Sequence, residues 1–293
     1  MTPPAYLRAR DALMKLLLAM FCLLLASPVS AAVLDVVYPQ AEERPREDYG
    51  YQVLQLALGK SGQPYRLSLS SYEMNLERAR SELKAGTVSV CDFGTGQAFE
   101  QMFLPVYFPI DRGLSGYRLF IINRALAPAF AQIHDLAGLR KKVAGQGRGW
   151  ADTQILEAAG IHVRTAEFED LFRMVDAQRF DFYPLGVEEV YPLWSRYRAL
   201  APNSVVEKTL VLHYPFARLF FVRKDNTALR DALLLGLQRA LADGSLQKLL
   251  DGNAQFSGAL KRADLKHRTL IEIDNPNASP EFKAMPRAYF LTP

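Results

Sequence analysis

The densest set of groups able to hold a small molecule is the run Gly145-Gln146-Gly147-Arg148-Gly149-Trp150-Ala151-Asp152-Thr153. Its glycines let the backbone come close to a ligand, and Trp150 offers an aromatic wall. Gln146, Asp152 and Thr153 bring hydrogen-bonding groups to the start of a helix, where free N–H groups face outward. The same residues also suit a plainer use, with Asp152 capping the helix and the indole of Trp150 packing on its neighbours. The sequence leaves both readings open. The glycine spacing is not the dinucleotide fingerprint and no Gly-Lys-Ser/Thr follows, so nucleotide binding is not expected.

Other chemistry is thinly supplied. His134, His162, His213 and His267 are widely spaced, with no two-histidine helix motif and no Cys/His cluster, so no metal site is expected. There is no Gly-x-Ser-x-Gly elbow and no nucleophile with a base beside it, so no catalytic residue is assigned. Glu42, Glu43, Asp152, Glu188 and Glu189 are the carboxylates that a cleft enzyme would have to use. Nothing calls for a cofactor.

Strands and helices that would position these groups alternate. Val33 to Tyr38 reads as a buried strand, Tyr49 to Lys60 as a helix, Tyr65 to Ser70 as a strand, Met74 to Ala85 as a helix and Val88 to Phe93 as a strand. Tyr117 to Asn123 is a further strand, after which the pattern restarts with Lys142 to Gly145, Trp150 to Ala159, Val163 to Ala166, Asp170 to Gln178 and Phe180 to Pro184. Such alternation implies βαβ units and parallel sheet. No internal repeat is visible in the residues.

The ordered segments Asp135-Leu136-Ala137-Gly138, Lys142-Val143-Ala144-Gly145-Gln146, Arg179-Phe180-Asp181 and Ala242-Asp243-Gly244-Ser245-Leu246 resemble the second half of a type 2 periplasmic solute-binding protein, similar to the bacterial extracellular family 3. Closer still is a less studied subgroup, through Gly116-Tyr117-Arg118, Gln146-Gly147 with Trp150 and Asp152-Thr153, Phe180-Asp181 with Tyr183-Pro184 and Glu189, and Tyr214-Pro215 with Phe220-Phe221. The resemblance implies a two-lobed α/β fold with two hinge crossings. Lobe 1 would be residues 32–116 and 217–254, lobe 2 residues 117–216, and residues 255–293 a tail packed on lobe 1. Ligands in this fold sit between the lobes at the carboxyl ends of strands. The ligand-binding set implied is Tyr38 and Glu42 after the first strand, Thr95 and Gln97 after the third, Arg118 on the crossing, then Gln146, Trp150, Asp152, Thr153, Tyr183 and Glu189. Amino-acid-binding members carry an Arg following the Thr in lobe 1 and an Asp in lobe 2. Here Thr95-Gly96-Gln97-Ala98 and Phe182-Tyr183-Pro184-Leu185-Gly186 lack both, which argues against ordinary α-amino acids.

Arg8, Arg10 and Lys15 precede the apolar run Leu16 to Ala26, which ends in Ser27-Pro28-Val29-Ser30-Ala31-Ala32 and has the form of a secretory signal peptide over residues 1–31, with Met1 or Met14 as its start. Its removal takes away three basic residues and one acidic one, leaving 32 and 30, so the mature chain is nearly balanced, and its scattered basic residues argue against nucleic acid. Cys91 is then the single cysteine, and reads as a small residue buried in a strand. The expectation is a periplasmic monomer that closes on a small polar or aromatic ligand for ABC-type uptake. Its partner is an ABC permease or, alternatively, a membrane kinase or cyclase for which it senses; the remaining alternative is a dehydratase-type enzyme on the same fold.

Overall fold

In the computed structural model residues 33–40, 46 and 48–291 are described; the signal-peptide assignment and Glu42 fall outside them. The strands are β1 (Leu34–Gln40), β2 (Tyr65–Glu73), β3 (Val90–Gly94), β4 (Leu104–Pro105), β5 (Tyr117–Asn123), β6 (Val143–Gly147), β7 (His162–Ala166), β8 (Phe182–Gly186), β9 (Ser204–Val206), β10 (Leu210–His213), β11 (Arg218–Val222) and β12 (Thr269–Glu272). In lobe 1, β1 and β2 pair in parallel, and β11 runs between β3 and β4, antiparallel to both. The N–H of Ser89 donates to the Val37 carbonyl at 2.9 Å and brings β1 alongside the start of β3. The two-stranded sheet β2-β1 thus lies next to the three-stranded sheet β3-β11-β4, in the succession β2-β1-β3-β11-β4.

Lobe 2 repeats this plan as β7-β6-β8-β5-β9, again with one antiparallel strand, β5, between its third and its last. In each lobe that strand is the first one the chain forms after arriving from the other lobe. The topology thus repeats where the residues do not, because the plan needs only apolar strands at these places and not particular side chains. At the hinge, β10 pairs antiparallel with the start of β5, His213 opposite Tyr117 and Leu212 opposite Arg118. The tail also contributes to the lobe 2 sheet, since β12 pairs in parallel with β10. Before it Phe256 lies against Tyr49 of lobe 1, ring centroids 4.3 Å apart, and beyond it Phe282 and Met285 pack with Phe93, Phe103 and Phe221 of the same lobe.

Because helices cover both faces of β5, its residues from Arg118 onward are all buried rather than alternating. Leu119 and Ile121 belong to the core shared with Leu171 and Phe172, while Phe120 and Ile122 pack with Phe130, Ile155 and Phe182. In lobe 1 the helix Tyr49–Ser61 is capped by Asp48, which accepts from Tyr51 N–H at 3.0 Å, and it packs on the helix Thr227–Ala242. That approach is close enough that a Cβ on Gly236 would sit 1.9 Å from the Ala57 carbonyl oxygen. The strand Tyr117–Asn123 falls where the sequence places it, whereas the helix Gln97–Met102 and strands β9 and β12 are too short or too polar to announce themselves.

Candidate ligand-binding site

The second residue of β5, Arg118, meets the second residue of the helix Ala151–Ala158, Asp152, with Nη2 2.8 Å from Oδ1. Both side chains are buried, and the Tyr214 hydroxyl donates to the same carboxylate oxygen. The rings of Tyr214 and Phe216 lie 5.2 and 4.9 Å from the guanidinium carbon, giving it aromatic faces as well as a counter-ion. Burial works against the charge on Arg118, but Asp152, Tyr214, Glu189 and Glu188 outweigh it and hold the group protonated. Burial, together with Asp152, pushes the Tyr214 hydroxyl well above the usual phenol range. The reading of Asp152 as a helix cap is corrected here. Trp150 occupies the cap position without a side-chain bond, and Asp152 turns inward because the buried guanidinium needs a counter-charge.

Around this ion pair polar atoms are left unpaired. Among the described residues six buried side-chain nitrogen or oxygen atoms have no hydrogen-bond partner, and five belong to Arg118 (Nε), Gln146 (Oε1), Thr153 (Oγ1), Tyr183 (hydroxyl) and Glu188 (Oε2). The sixth, on Arg230, faces Asp231 at ion-pair distance in another part of the fold. Gln146 near the end of β6 donates its amide to the Pro184 carbonyl at 3.4 Å, which turns its free oxygen away from that carbonyl. Tyr183 in β8 faces Trp150 with ring centroids 6.5 Å apart, and the indole lies flat on Gly147, where a Cβ would stand 2.3 Å from it. Glu188 is 1% exposed and accepts from the Ser115 hydroxyl at 2.5 Å. Burial, then Glu189 and Asp111, push its carboxyl up to about 7 against the pull of Ser115. Glu189 is half-buried at the start of the helix Val190–Arg196 and close enough to raise the Tyr183 hydroxyl, after burial itself.

Lobe 1 contributes a second buried network. The Tyr38 hydroxyl reaches Asp48 at 3.0 Å and also Asp92, whose other oxygen accepts from Arg218 Nε at 3.0 Å. Burial, then Asp92, raise the Asp48 carboxyl, while Arg218 lowers it. Asp111 accepts backbone N–H groups of Gly113, Ser115 and Arg218, at 3.1, 3.0 and 3.3 Å, tying this network to the Ser115–Glu188 contact. Thr95 and Gln97 are not drawn into either network. The Thr95 hydroxyl donates to Glu100 at 2.6 Å, and Gln97 is exposed, its N–H donating to the Asn277 carbonyl of the tail at 3.0 Å. The sequence reading missed Asp92, Arg218, Tyr214, Ser115 and Asp111. A charged residue inside the apolar strand Val90–Gly94 was the one available signal, and its arginine partner lies 126 positions away.

Cavities lined by described residues include one of about 420 Å³ against Leu114, Leu260, Leu265 and Leu291 and one of about 380 Å³ between Tyr107, Glu100 and the tail. Neither touches the polar cluster, and unpaired buried groups are the better guide to a ligand. His213 stacks on Tyr117 at 4.3 Å beside Glu272, and Cys91 is buried in β3. Among the described residues no group of three His, Cys, Asp or Glu side chains could hold a metal ion.

No protein-family model matches the sequence, and no curated protein matches it. Solved structures do match. An ancestral arginine-binding protein bound to arginine superposes with a TM-score of 0.53 at 14% identity, over 77% of this chain and 99% of its own. A structure concerned with glutathione import in Gram-positive bacteria via GshT and the cystine ABC importer TcyBC of Streptococcus mutans gives 0.56 at 12%, over 76% and 95%. A histidine kinase sensor domain with similarity to periplasmic binding proteins gives 0.52 at 14%, over 75% and 96%. At such identities the likeness is one of fold, and the fold of this chain from Leu34 onward is the two-lobed α/β fold of the type 2 periplasmic binding proteins.

Proposed function

We propose that the protein is a periplasmic solute-binding protein that closes its lobes on a small polar or aromatic ligand and delivers it to an ABC permease. The carrying observation is the gathering of unpaired buried polar atoms on Arg118, Gln146, Thr153, Tyr183 and Glu188 at strand and helix ends in lobe 2. Buried polar groups are nearly always paired, and each one left unpaired costs about 1–3 kcal/mol. A ligand with complementary groups recovers that cost, which makes the cluster a place prepared for one. Trp150 and Tyr183 supply the aromatic wall, and the paired crossings at β5 and β10 supply a hinge. Binding, rather than chemistry, is the function in this reading. The kinase sensor domain among the structural neighbours favours a second one, in which the closed state is presented to a membrane sensor instead of a permease.

The test is native mass spectrometry of protein recovered gently from the periplasm, with fluorescence titration of the molecule found. A bound small molecule that perturbs Trp150 emission in the wild type, but not in Trp150→Phe, is the expected result. Absence of any bound mass, with no fluorescence response to periplasmic extract, would overturn the reading.

A further inference from the structure

Charge at the site is not balanced. Among the described residues each arginine there is already committed, Arg118 to Asp152, Arg218 to Asp92 and Arg112 to Gln247 and the tail carbonyls of Ala288 and Tyr289, and Arg118 is further enclosed by Tyr214 and Phe216. Against these three cations stand Asp152, Asp92, Asp48, Asp111, Glu188 and Glu189. Among the described residues neither Glu188 nor Glu189 has a cation within ion-pair distance. The acidic excess alone would say little. What gives it a direction is the chemistry of the unpaired atoms: Gln146 Oε1 can only accept, as can Glu188 Oε2 once ionised, and both residues are at least 99% buried.

The two side chains meet neighbouring parts of β8. Gln146 is anchored on the Pro184 carbonyl, and the Glu188 carboxylate lies on Gly186, where a Cβ would stand 2.8 Å from Oε2. Pro184 and Gly186 are two residues apart in β8 and so share a face of the sheet, roughly 7 Å along the strand. The rings of Trp150 and Tyr183 lie beside Gly147, the next residue of β6, whose side-chain direction is opposite to that of Gln146. Unpaired acceptors and carboxylates without an ion-pair partner together describe a site for a positive charge. Among the described residues a ligand carboxylate brought here would meet no cation free of other partners and would add to the negative field.

Building on the solute-binding reading, we infer that the solute is an organic cation, an amine, guanidine or quaternary ammonium without a carboxylate, held between Glu188 and Gln146. The free Nε–H of Arg118 and the hydroxyls of Thr153 and Tyr183 then serve a neutral polar part of the same molecule.

The experiment is isothermal titration calorimetry of the mature protein with 1,4-diaminobutane, agmatine and choline, beside uncharged 1,4-butanediol, anionic succinate, and L-arginine, which carries the cation together with a carboxylate. At least one cationic probe is expected to bind with Kd below about 100 µM, tighter than L-arginine, with butanediol and succinate silent at 1 mM, about 4 kcal/mol. Glu188→Gln, which keeps the bond from Ser115, should weaken the cation at least tenfold. Glu189→Gln, half-exposed and safe for folding, should weaken it two- to fivefold. Tighter binding of a neutral or anionic probe, or an unchanged affinity in Glu188→Gln, overturns the inference and leaves the solute-binding reading standing. Where no probe binds, the charge of the co-purified molecule decides: a cation supports the inference, a neutral or anionic molecule overturns it, and no molecule at all overturns it together with the reading on which it rests.

Discussion

Glu188 gives the sharpest physical prediction. Its carboxyl titrates at 4.5 in a solvated chain but is pushed up to about 7 in the folded protein by burial, Glu189 and Asp111, with Ser115 and the nearby Arg118 acting the other way. The folded state therefore holds this proton more tightly than the unfolded one. The cost of ionising it is absent below 4.5, grows as pH rises towards 7, and is constant above. A difference between 4.5 and about 7 amounts to roughly 3 kcal/mol in full, of which about 2.5 kcal/mol develops between pH 5 and pH 8. Glu188→Gln removes the titration while keeping the shape and the Ser115 bond. Urea unfolding of both proteins at pH 5, 6, 7 and 8 should show the variant gaining on the wild type by about 2.5 kcal/mol across that range, with equal m-values. Titrating groups that do not interact with Glu188 cancel in the comparison. Curves that stay parallel within about 0.5 kcal/mol would refute the claim that this carboxylate is buried without a cation.

Three further outcomes are expected. Gly236→Ala forces a methyl into the Ala57 carbonyl oxygen and should destabilise by at least the 1–3 kcal/mol usual for overpacking, seen as a lower urea midpoint. Asp152→Ala leaves Arg118 buried without its counter-ion and should cost about 3–5 kcal/mol by the same assay, with Asp152→Asn costing less because it keeps a partner for Tyr214. Intact mass of protein recovered from the periplasm should begin at Ala32 or Val33; a full-length N-terminus would overturn the secretion assignment.

Most of the regular elements were legible along the chain. Tyr117–Asn123 lies where its apolar run places it, and Cys91 is the buried strand residue it resembles. Strands covered on both faces read as continuous apolar stretches, so β5 needed no tertiary information to be found. The approximate place of the proposed site was also legible, since Gly-rich strand ends leading into helices mark where backbone can approach a ligand.

What each side chain does there was not legible. Asp152 has the spacing of a cap and becomes the counter-ion of Arg118, because the packing of Tyr214 and Phe216 buries a guanidinium that only the fold brings within 2.8 Å. Tyr38 lies beside Asp92 and Arg218, residues 54 and 126 or more positions apart, and no local pattern records such a meeting. Gln97 is exposed, and the tail takes its N–H. Local sequence determines elements through short-range propensity and periodicity. The pairing, burial and field that decide the character of a charge depend on residues far apart in the chain, and those only the tertiary structure brings together.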